Sequence, residues 1–194
     1  MLKLLRIVFV FTIVLSSNIL LFAQEASDQA AEMQMWMEYM TPGPMHNMLA
    51  NQVGEWKTIS KYWMDPSGEP MTYDGLAKTE MILGGRYQKS NHSAVVMVMP
   101  MEGISLIGYD NTSQEFTSVW IDNLGTGTAV AKGKYDQESN SIAMIGTMID
   151  PMAKSEINFK QNIKFFDDNH FTLEMYLISG DKEFKSMEIE FVRQ

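Results

Sequence analysis

From Gly54 to the end of the chain, runs of alternating apolar and polar residues are separated by clusters of turn-forming residues. Alternation with a period of two is typical of a strand that buries one face. The breaks are rich in Gly, Pro, Asp, Asn and Ser, which favour tight turns. The pattern predicts ten strands, near residues 55–64, 71–83, 86–98, 103–109, 115–122, 126–135, 141–149, 155–166, 169–178 and 182–193.

The connections between these segments are short, and short connections favour antiparallel pairing of neighbouring strands. Near the C-terminus the alternation is most regular: Phe171 and Leu173 share one face, and Thr172 and Glu174 share the other. A long antiparallel meander with one dry face can close on itself as a barrel. The predicted fold is therefore all-β, a single antiparallel meander β-barrel of about ten strands with a short N-terminal helical lead-in.

Two strands carry features that need an explanation from the fold. In the last strand, the alternation places Arg193 on the dry face, where a guanidinium needs an aromatic ring or hydrogen-bond acceptors beside it. In segment 126–135, small residues occupy one parity, which predicts close approach by a large core side chain, a neighbouring helix or a ligand. These small residues are Gly127, Ala129, Ala131 and Gly133.

Two short helices are predicted ahead of the strands, over Met33–Met40 and Met45–Val53. The apolar face of the second helix consists of Met45, Met48, Leu49 and Val53. No internal repeat or low-complexity linker interrupts the rest of the chain. We therefore predict a signal peptide over residues 1–23, a leader with the first helix over 24–41, and one β-barrel domain over 42–194.

The first residues have the pattern of a secretory signal peptide. Lys3 and Arg6 precede an apolar stretch that ends in small residues at Ala23. An uncleaved membrane anchor is the alternative, but the polar break at Ser16–Asn18 interrupts the run of about 20 apolar residues that a spanning helix needs. We therefore predict a periplasmic or secreted protein with no integral membrane span after cleavage.

Charge and cysteine content narrow the possible partners. The chain has 15 basic and 24 acidic residues, and loss of Lys3 and Arg6 would leave a net charge of −11. Such a surface repels phosphate backbones, so nucleic acid is not an expected partner. The chain has no cysteine, which excludes a disulfide framework, a lipid-modified cysteine and a thiol nucleophile.

The sequence contains no strong catalytic or metal-binding motif. It lacks a Gly-rich phosphate loop, a G-x-S-x-G elbow and His/carboxylate spacing for zinc. We accordingly predict no catalytic residue, no metal site and no cofactor, and leave open whether the protein is an enzyme.

Two weaker cofactor hypotheses arise from the 18 methionines and three histidines. The thioethers at positions 97, 99 and 101, or at 33, 35 and 37, could bind copper(I), although methionine more often fills gaps in a core. A histidine inside the barrel, His92 or His170, could be an axial haem ligand. His170 shares the wet parity of its strand, and His92 lies in a polar stretch.

Gly54-x-Trp56, at the entry to the first strand, resembles the G-x-W signature of lipocalin-like barrels. In that superfamily the tryptophan packs at the closed end against an arginine from a late strand, which implies a contact between Trp56 and Arg193. More specifically, the chain from Pro42 to Arg193 resembles an uncharacterised, mainly bacterial domain-of-unknown-function family with a lipocalin-like, calycin-type barrel. The resemblance implies a fold but no established activity. It rests on Pro42-Gly43-Pro44-x-His46, Gly54-x-Trp56, Gly84-Gly85-Arg86-Tyr87, Glu102-Gly103 with Gly108-Tyr109-Asp110, and Trp120-x-Asp122-x-x-Gly125-Thr126.

The leading functional hypothesis is an exported barrel that binds a small apolar or amphipathic molecule. Predicted wall residues are Trp63, Tyr87, Tyr109 and Trp120, and predicted polar anchors are Arg86 and Asp122, which could pair. Structural roles are predicted for Trp56, Arg193 and His46, the last hydrogen-bonded within its own helix start.

Two further hypotheses stay open. One is an isomerase or hydrolase on the same barrel, using Asp122, Asp110 or His46. The other is an envelope interaction protein with a solid barrel, whose methionine stripe Met33, Met37 and Met40, next to Trp36, meets an unidentified protein partner.

Overall fold

A computed structural model of the chain describes residue 24 and residues 27–194. The predicted signal peptide, residues 1–23, lies outside the described residues. Helix α1 spans residues 27–40 and helix α2 spans Pro44–Ala50. The strands are β1 (Gly54–Tyr62), β2 (Met71–Ile82), β3 (Tyr87–Val96), β4 (Met99–Asp110), β5 (Glu115–Asp122), β6 (Ala129–Asp136), β7 (Ser141–Asp150), β8 (Ser155–Asp167), β9 (His170–Ser179) and β10 (Lys182–Arg193).

Each strand pairs antiparallel with the next along the chain, and β10 pairs with β1 to close the barrel. The predicted ten-stranded meander barrel is therefore confirmed. The predicted break between the third and fourth strands is wrong, because the chain turns at Met97 and Val98. Both residues have positive φ, 48° and 70°, which matches a two-residue hairpin turn. Neither residue is the Gly or Asn that usually marks such a turn, so turn chemistry alone could not place it there.

Helix α2 covers one end of the barrel, which we call the α2 end. It contacts β2, β3 and β4, and Leu49 is buried in the main core. The Gln88 side chain donates a hydrogen bond to the carbonyl oxygen of Leu49 at 2.8 Å. At the opposite end, which we call the far end, β1 stops and β2 begins. α2 and the ten strands form one compact unit, Pro42–Gln194.

The start of α2 is fixed by Pro44 at the first turn and by a hydrogen bond from the Gly43 N–H to Nδ1 of His46 at 3.0 Å. This confirms the predicted local role of His46. The predicted apolar face is only partly right: Met45, Met48 and Leu49 pack in the core, whereas Val53 is 41% exposed. The helix ends at Ala50, so Val53 lies beyond it and does not share its face.

Trp56 is fully buried in the smaller of two core clusters, with Ala77 and Phe191. The guanidinium of Arg193 lies 4.2 Å from the centre of the Trp56 ring, which confirms the predicted contact. Arg193 also donates hydrogen bonds to the backbone carbonyl oxygens of Asn51, Val53 and Asp168. An aromatic face and several acceptors therefore satisfy this inward-facing cation, and the arginine ties the last strand to the segment before the first.

The larger cluster fills the α2 end of the interior. Its buried members come from α2 and from β4 to β8: Leu49, Ile107, Phe116, Ala131, Ile142, Met144, Phe159 and Ile163. Within the described residues, no helix is both long enough and apolar enough to cross a bilayer.

Candidate functional site

Many large apolar side chains point into the barrel yet stay only half buried, although strands surround them on every side. The strand register assigns them to the inner face, because they share the parity of the fully buried core residues. Interiors without voids bury such residues almost completely. Accessible space therefore reaches into the barrel, and we call this space the lumen. Its half-buried apolar residues include Met101, Trp120, Met148, Leu173, Met175, Leu177, Met187 and Ile189.

The lumen has two chemically different walls. On β1 to β5 the inner face combines apolar residues such as Ile107, Phe116 and Trp120 with small hydroxyl side chains, most of them buried: Thr58, Ser60, Thr79, Ser90, Ser105 and Ser118. The inner face of β6 to β10 is predominantly apolar, with Met, Leu, Ile and Phe. Among the hydroxyls, Thr79 and Ser90 bond each other at 2.9 Å. The interior is thus amphipathic from side to side, which the sequence alternation alone did not reveal.

His92 lies on the inner face of β3, between the small residues Ala77 and Gly103 of the neighbouring strands. Its ring makes edge-to-face contacts with Trp120 at 5.1 Å and with Phe191 at 6.0 Å between ring centres. Burial lowers the pKa of His92 to about 4. The imidazole is therefore neutral at physiological pH and can both donate and accept a hydrogen bond.

Sequence reasoning gave His92 little weight, because Lys89, Asn91 and Ser93 make its strand look polar. Those three residues face outward in the structure, with the opposite parity to His92. Alternation along β3 gives His92 the opposite face to these three residues. Together with the pairing of β2 with β3, which identifies the inner face, this alternation could have placed His92 inside the barrel.

Trp120 and Asp122 both face inward on β5, as their shared parity predicted. The indole N–H of Trp120 donates to Oδ2 of Asp122 at 2.7 Å. The other carboxylate oxygen accepts from the backbone N–H groups of Leu124 and Gly125, at 2.9 and 3.1 Å. The Trp120 ring lies over Gly103, where a Cβ atom would meet it at 2.3 Å. Asp122 therefore orients the indole and also caps the turn at the far end.

The predicted pairing of Arg86 with Asp122 is wrong. Arg86 lies exposed in the turn between β2 and β3 at the α2 end, and its Nη1 donates to the Leu83 carbonyl oxygen at 3.2 Å. Asp122 is the last residue of β5, at the far end. The two residues are separated because adjacent antiparallel strands place the start of β3 and the end of β5 at opposite ends of the barrel.

The other predicted wall residues are not gathered at one place. Tyr109 faces inward at the α2 end, packed against Phe116 and His46 at ring distances of 4.8 and 5.8 Å. Tyr87 faces outward, 40% exposed, with its ring over Gly108. Of the six predicted ligand-binding residues, the structure thus brings only Trp120 and Asp122 together beside His92.

Trp63 lies on the outside, just beyond the last residue of β1. The ammonium group of Lys185 lies 5.6 Å above its ring, and Lys185 in turn bonds the carboxylates of Glu174 and Glu188. These carboxylates belong to the outer face of β9 and β10. The prediction that Trp63 lines the interior is therefore wrong, and Tyr62, one residue earlier, has the inward parity.

Tyr62 and Tyr73 face each other on the inner side of β1 and β2, with ring centres 6.0 Å apart. Burial raises the pKa of Tyr62, with a smaller contribution from the negative charge of Asp122, while a hydrogen bond with Ser60 acts in the opposite direction. Two tyrosines, Trp120 and Asp122 therefore surround the far end of the lumen. The prediction from the sequence missed Tyr62 because this residue lies next to the more conspicuous Trp63, and it missed Tyr73 as well.

A surface depression of about 690 Å³ lies against β1 to β5. Most of its lining residues have the outward parity, including Leu76, Ile104 and Ile121. The inward-facing residues Ala77, His92, Gly103 and Asp122 line it as well, so the depression adjoins the lumen at His92 and is a rival location for a ligand.

The positions suited to metals are scattered. No three His, Cys, Asp or Glu side chains converge within residues 24 and 27–194. Of the methionines at 97, 99 and 101, Met97 occupies the turn and is 57% exposed, while the other two face inward on β4. His170 faces outward, with Nε2 3.0 Å from Oε1 of Glu190. Only His92 among the three histidines points into the lumen.

Replacing His92 with Phe is expected to flatten the acid side of the stability profile. The pKa of His92 is about 4 in the folded protein, against 6.5 for an unperturbed imidazole, so the unfolded chain binds more protons between these values. Stability is therefore present above pH 6.5 and falls as the pH drops, by on the order of 3 kcal/mol over the whole window. Urea unfolding at pH 7 and pH 4.5 checks this, and parallel profiles for the two proteins would contradict it.

Comparison with solved structures finds the same kind of fold. The crystal structure of Rv2717c from M. tuberculosis matches with a TM-score of 0.57 and 13% sequence identity, over 79% of this chain and 99% of that one. A redesigned β-barrel matches with a TM-score of 0.43 and 7% identity, over 75% of this chain and 94% of that one. At these identities the first match supports the fold alone, and the second is too distant to add to it.

No curated protein sequence matches the chain significantly. A family model does, over residues 41–193, which include α2 and every strand of the barrel. The match agrees with the motifs that indicated an uncharacterised barrel family, from the Pro-Gly-Pro segment to Arg193. The chain therefore belongs to the protein family of unknown function DUF1579.

Proposed function

We propose that this protein binds a small apolar or amphipathic molecule in the lumen of its barrel. The observation that carries the proposal is the half-buried state of large inward-facing residues such as Leu173 and Ile189. Apolar surface left accessible inside a closed barrel gains free energy when a ligand covers it, by about 25 cal/mol per Å². Barrels of this size are able to hold one small ligand.

The two walls of the lumen suit an amphipathic molecule better than a pure hydrocarbon. The imidazole of His92 and the hydroxyls on β1 to β5 other than the bonded pair Thr79 and Ser90 offer hydrogen bonds along one side, and the methionines and leucines of β9 and β10 cover the other. Pockets for small molecules typically combine an apolar lining with a few placed polar groups. Tyr62, Tyr73 and Trp120 would frame the entry at the far end.

A matched pair of Leu→Trp variants tests this location. Leu173→Trp adds bulk on the inner face of β9, and Leu76→Trp adds the same bulk on the outer face of β2, inside the surface depression. We expect the first variant to weaken binding of the neutral fluorophore Nile red at least about tenfold, because indole displaces the ligand from a pocket of a few hundred Å³. The second should bind like the unmodified protein. Fluorescence titration measures both affinities.

Each alternative outcome has a distinct meaning. Loss of binding only in Leu76→Trp would move the site to the outer depression and overturn the lumen as its location. Absence of Nile red binding to the unmodified protein would count against a ligand-binding barrel of this kind. Far-UV circular dichroism of both variants checks that each is still folded.

Export to the periplasm or to the medium is part of the proposal. It is supported by the basic and apolar N-terminal pattern that ends at Ala23.

A second candidate function, binding of a protein partner, is favoured by the composition of α1 considered by itself. Six of its large apolar or aromatic side chains are between 43% and 63% exposed: Met33, Met35, Trp36, Met37, Tyr39 and Met40. Methionine-rich helical surfaces adapt readily to apolar partners. This candidate concerns α1 and leaves the lumen unexplained, so it ranks second.

A further inference from the structure

The strands place no charge along the body of the lumen. Among the described residues, inward-facing strand positions other than the first or last residue of a strand carry no Lys, Arg, Asp or Glu. The outward positions, by contrast, hold charged side chains such as Lys78, Lys132 and Glu188. Charges of inward parity occur only at strand ends, at Asp122, Asp150, Lys182 and Arg193.

The two of these end residues with the clearest contacts are already engaged. Asp122 accepts three N–H groups, and it carries a negative charge. Arg193 donates its N–H groups to backbone carbonyl oxygens at the α2 end, behind the Trp56 ring. Neither residue therefore offers the lumen a cation that could pair with an anionic ligand.

An anionic group along the body of the lumen would have no compensating charge, because Lys182 is exposed at the first position of β10, at the far end. Burial of an unpaired carboxylate carries a large desolvation penalty, whereas burial of a hydroxyl or carbonyl costs little once it is hydrogen-bonded. The negative charge of Asp122 at the far end adds repulsion during entry. The lumen therefore suits a ligand that is uncharged along its length.

His92 supplies the hydrogen-bonding partner for such a ligand. Its ring makes edge-to-face contacts with aromatic side chains, and neither of its two ring nitrogens is hydrogen-bonded to any of the described residues. A neutral imidazole has one N–H donor and one acceptor nitrogen, which suits a hydroxyl, a ketone or an amide equally well. Ala77 and Gly103 are the partners of His92 on the adjacent strands, and the Trp120 ring fills the space over Gly103.

Building on the proposed function, we propose that the lumen selects uncharged amphiphiles, such as long-chain alcohols or ketones, over free carboxylic acids, and that His92 hydrogen-bonds their polar group. The apolar wall of β6 to β10 covers the hydrocarbon part, and the hydroxyl wall tolerates further polar groups on the same side as His92. The structure thus assigns a charge class to the ligand and a residue that recognises it.

The test compares decan-1-ol with decanoic acid as competitors of Nile red at pH 7.5, using the full-length protein. The two probes share a ten-carbon chain and differ in charge. We expect the alcohol to displace the dye at a concentration at least about tenfold lower than the acid, because the acid must either bury an unpaired charge or take up a proton on binding. Equal potency, or a stronger acid, would overturn the selection for uncharged ligands while leaving lumen binding intact.

A variant separates recognition by His92 from simple packing. His92→Phe keeps an aromatic ring of similar size but removes both hydrogen-bonding nitrogens. We expect decan-1-ol to lose affinity by about tenfold, which corresponds to one hydrogen bond, while the weak binding of decanoic acid changes little. An unchanged affinity for the alcohol would overturn the role of His92. Failure of Nile red to bind the unmodified protein would instead count against the proposed function itself, so the two failures are distinguishable.

Discussion

Trp56→Ala is expected to lower the free energy of unfolding by about 4 kcal/mol, the effect of emptying a large aromatic site in a core. Trp56 is fully buried, with an edge-to-face contact to Phe171 at 4.8 Å between ring centres. Its indole N–H donates to the Gln52 carbonyl oxygen at 3.0 Å, and Arg193 covers its other face. Alanine would leave a cavity, an unpaired carbonyl and an inward cation without its aromatic ring.

Two companion variants make this result interpretable. Trp36→Ala removes an indole that is 60% exposed on α1, and it should change stability by less than about 0.5 kcal/mol. Trp56→Phe keeps most of the ring volume but loses the hydrogen bond, and it should fall between the two. Urea unfolding followed by circular dichroism gives all three values. If Trp36→Ala and Trp56→Ala lowered the free energy of unfolding by similar amounts, the packing at the α2 end would not depend on Trp56.

Gly133→Ala is expected to cost about 3 kcal/mol or to prevent folding, because the added methyl group has no space to occupy. A Cβ atom at Gly133 would lie 1.8 Å from the carbonyl oxygen of Ala143 and 2.6 Å from the Cα atom of Met144. Both are backbone atoms of β7, so no side-chain rotation can relieve the clash. β6 and β7 would have to separate at this point, breaking the ladder on the apolar side of the lumen.

Gly127→Ala is the matched control. Gly127 lies in the connection between β5 and β6, and no atom lies within 4 Å of the position that its Cβ would take. The same chemical change at this earlier position should therefore leave the unfolding free energy nearly unchanged, or slightly raise it by restricting the unfolded chain. If the two variants unfold at the same urea concentration, the close approach of β7 to Gly133 is not a real constraint.

The small residues of β6 illustrate what a pattern can and cannot specify. Their shared parity indicated close approach, which is right at Gly133 and wrong at Gly127, a residue before β6 whose Cβ position has no atom within 4 Å. The approaching group at Gly133 is the backbone of the next strand, not a helix or a bulky ligand. At Ala131 the neighbours are core side chains, since Ala131 belongs to the main cluster with Phe159. The sequence indicates that space is short at a position, whereas only the packed strands show what occupies that space.

The candidate site shows the same division. Parity along one strand was enough to turn Trp120 and Asp122 inward together, because period-two geometry is local. The pairing of Arg86 with Asp122 failed because it required knowledge of which end of the barrel each residue occupies. The prediction that Trp63 faces inward was wrong because Trp63 follows the inward-facing Tyr62 by one residue and therefore lies on the outer face. His92 was undervalued because its polar neighbours face the solvent.

By itself, the sequence determined the strand count, the meander order and the helical lead-in, and its resemblance to lipocalin-like barrels implied the contact between Trp56 and Arg193. These follow from local alternation, turn chemistry and a short motif, all of which are written within a few residues. Only the tertiary structure decided that the interior keeps accessible space, that the inward-facing hydroxyls gather on β1 to β5, and that His92 lies between Trp120 and Phe191. Those properties depend on the register between strands far apart in the chain and on how completely side chains from ten strands fill one volume, which no single segment encodes.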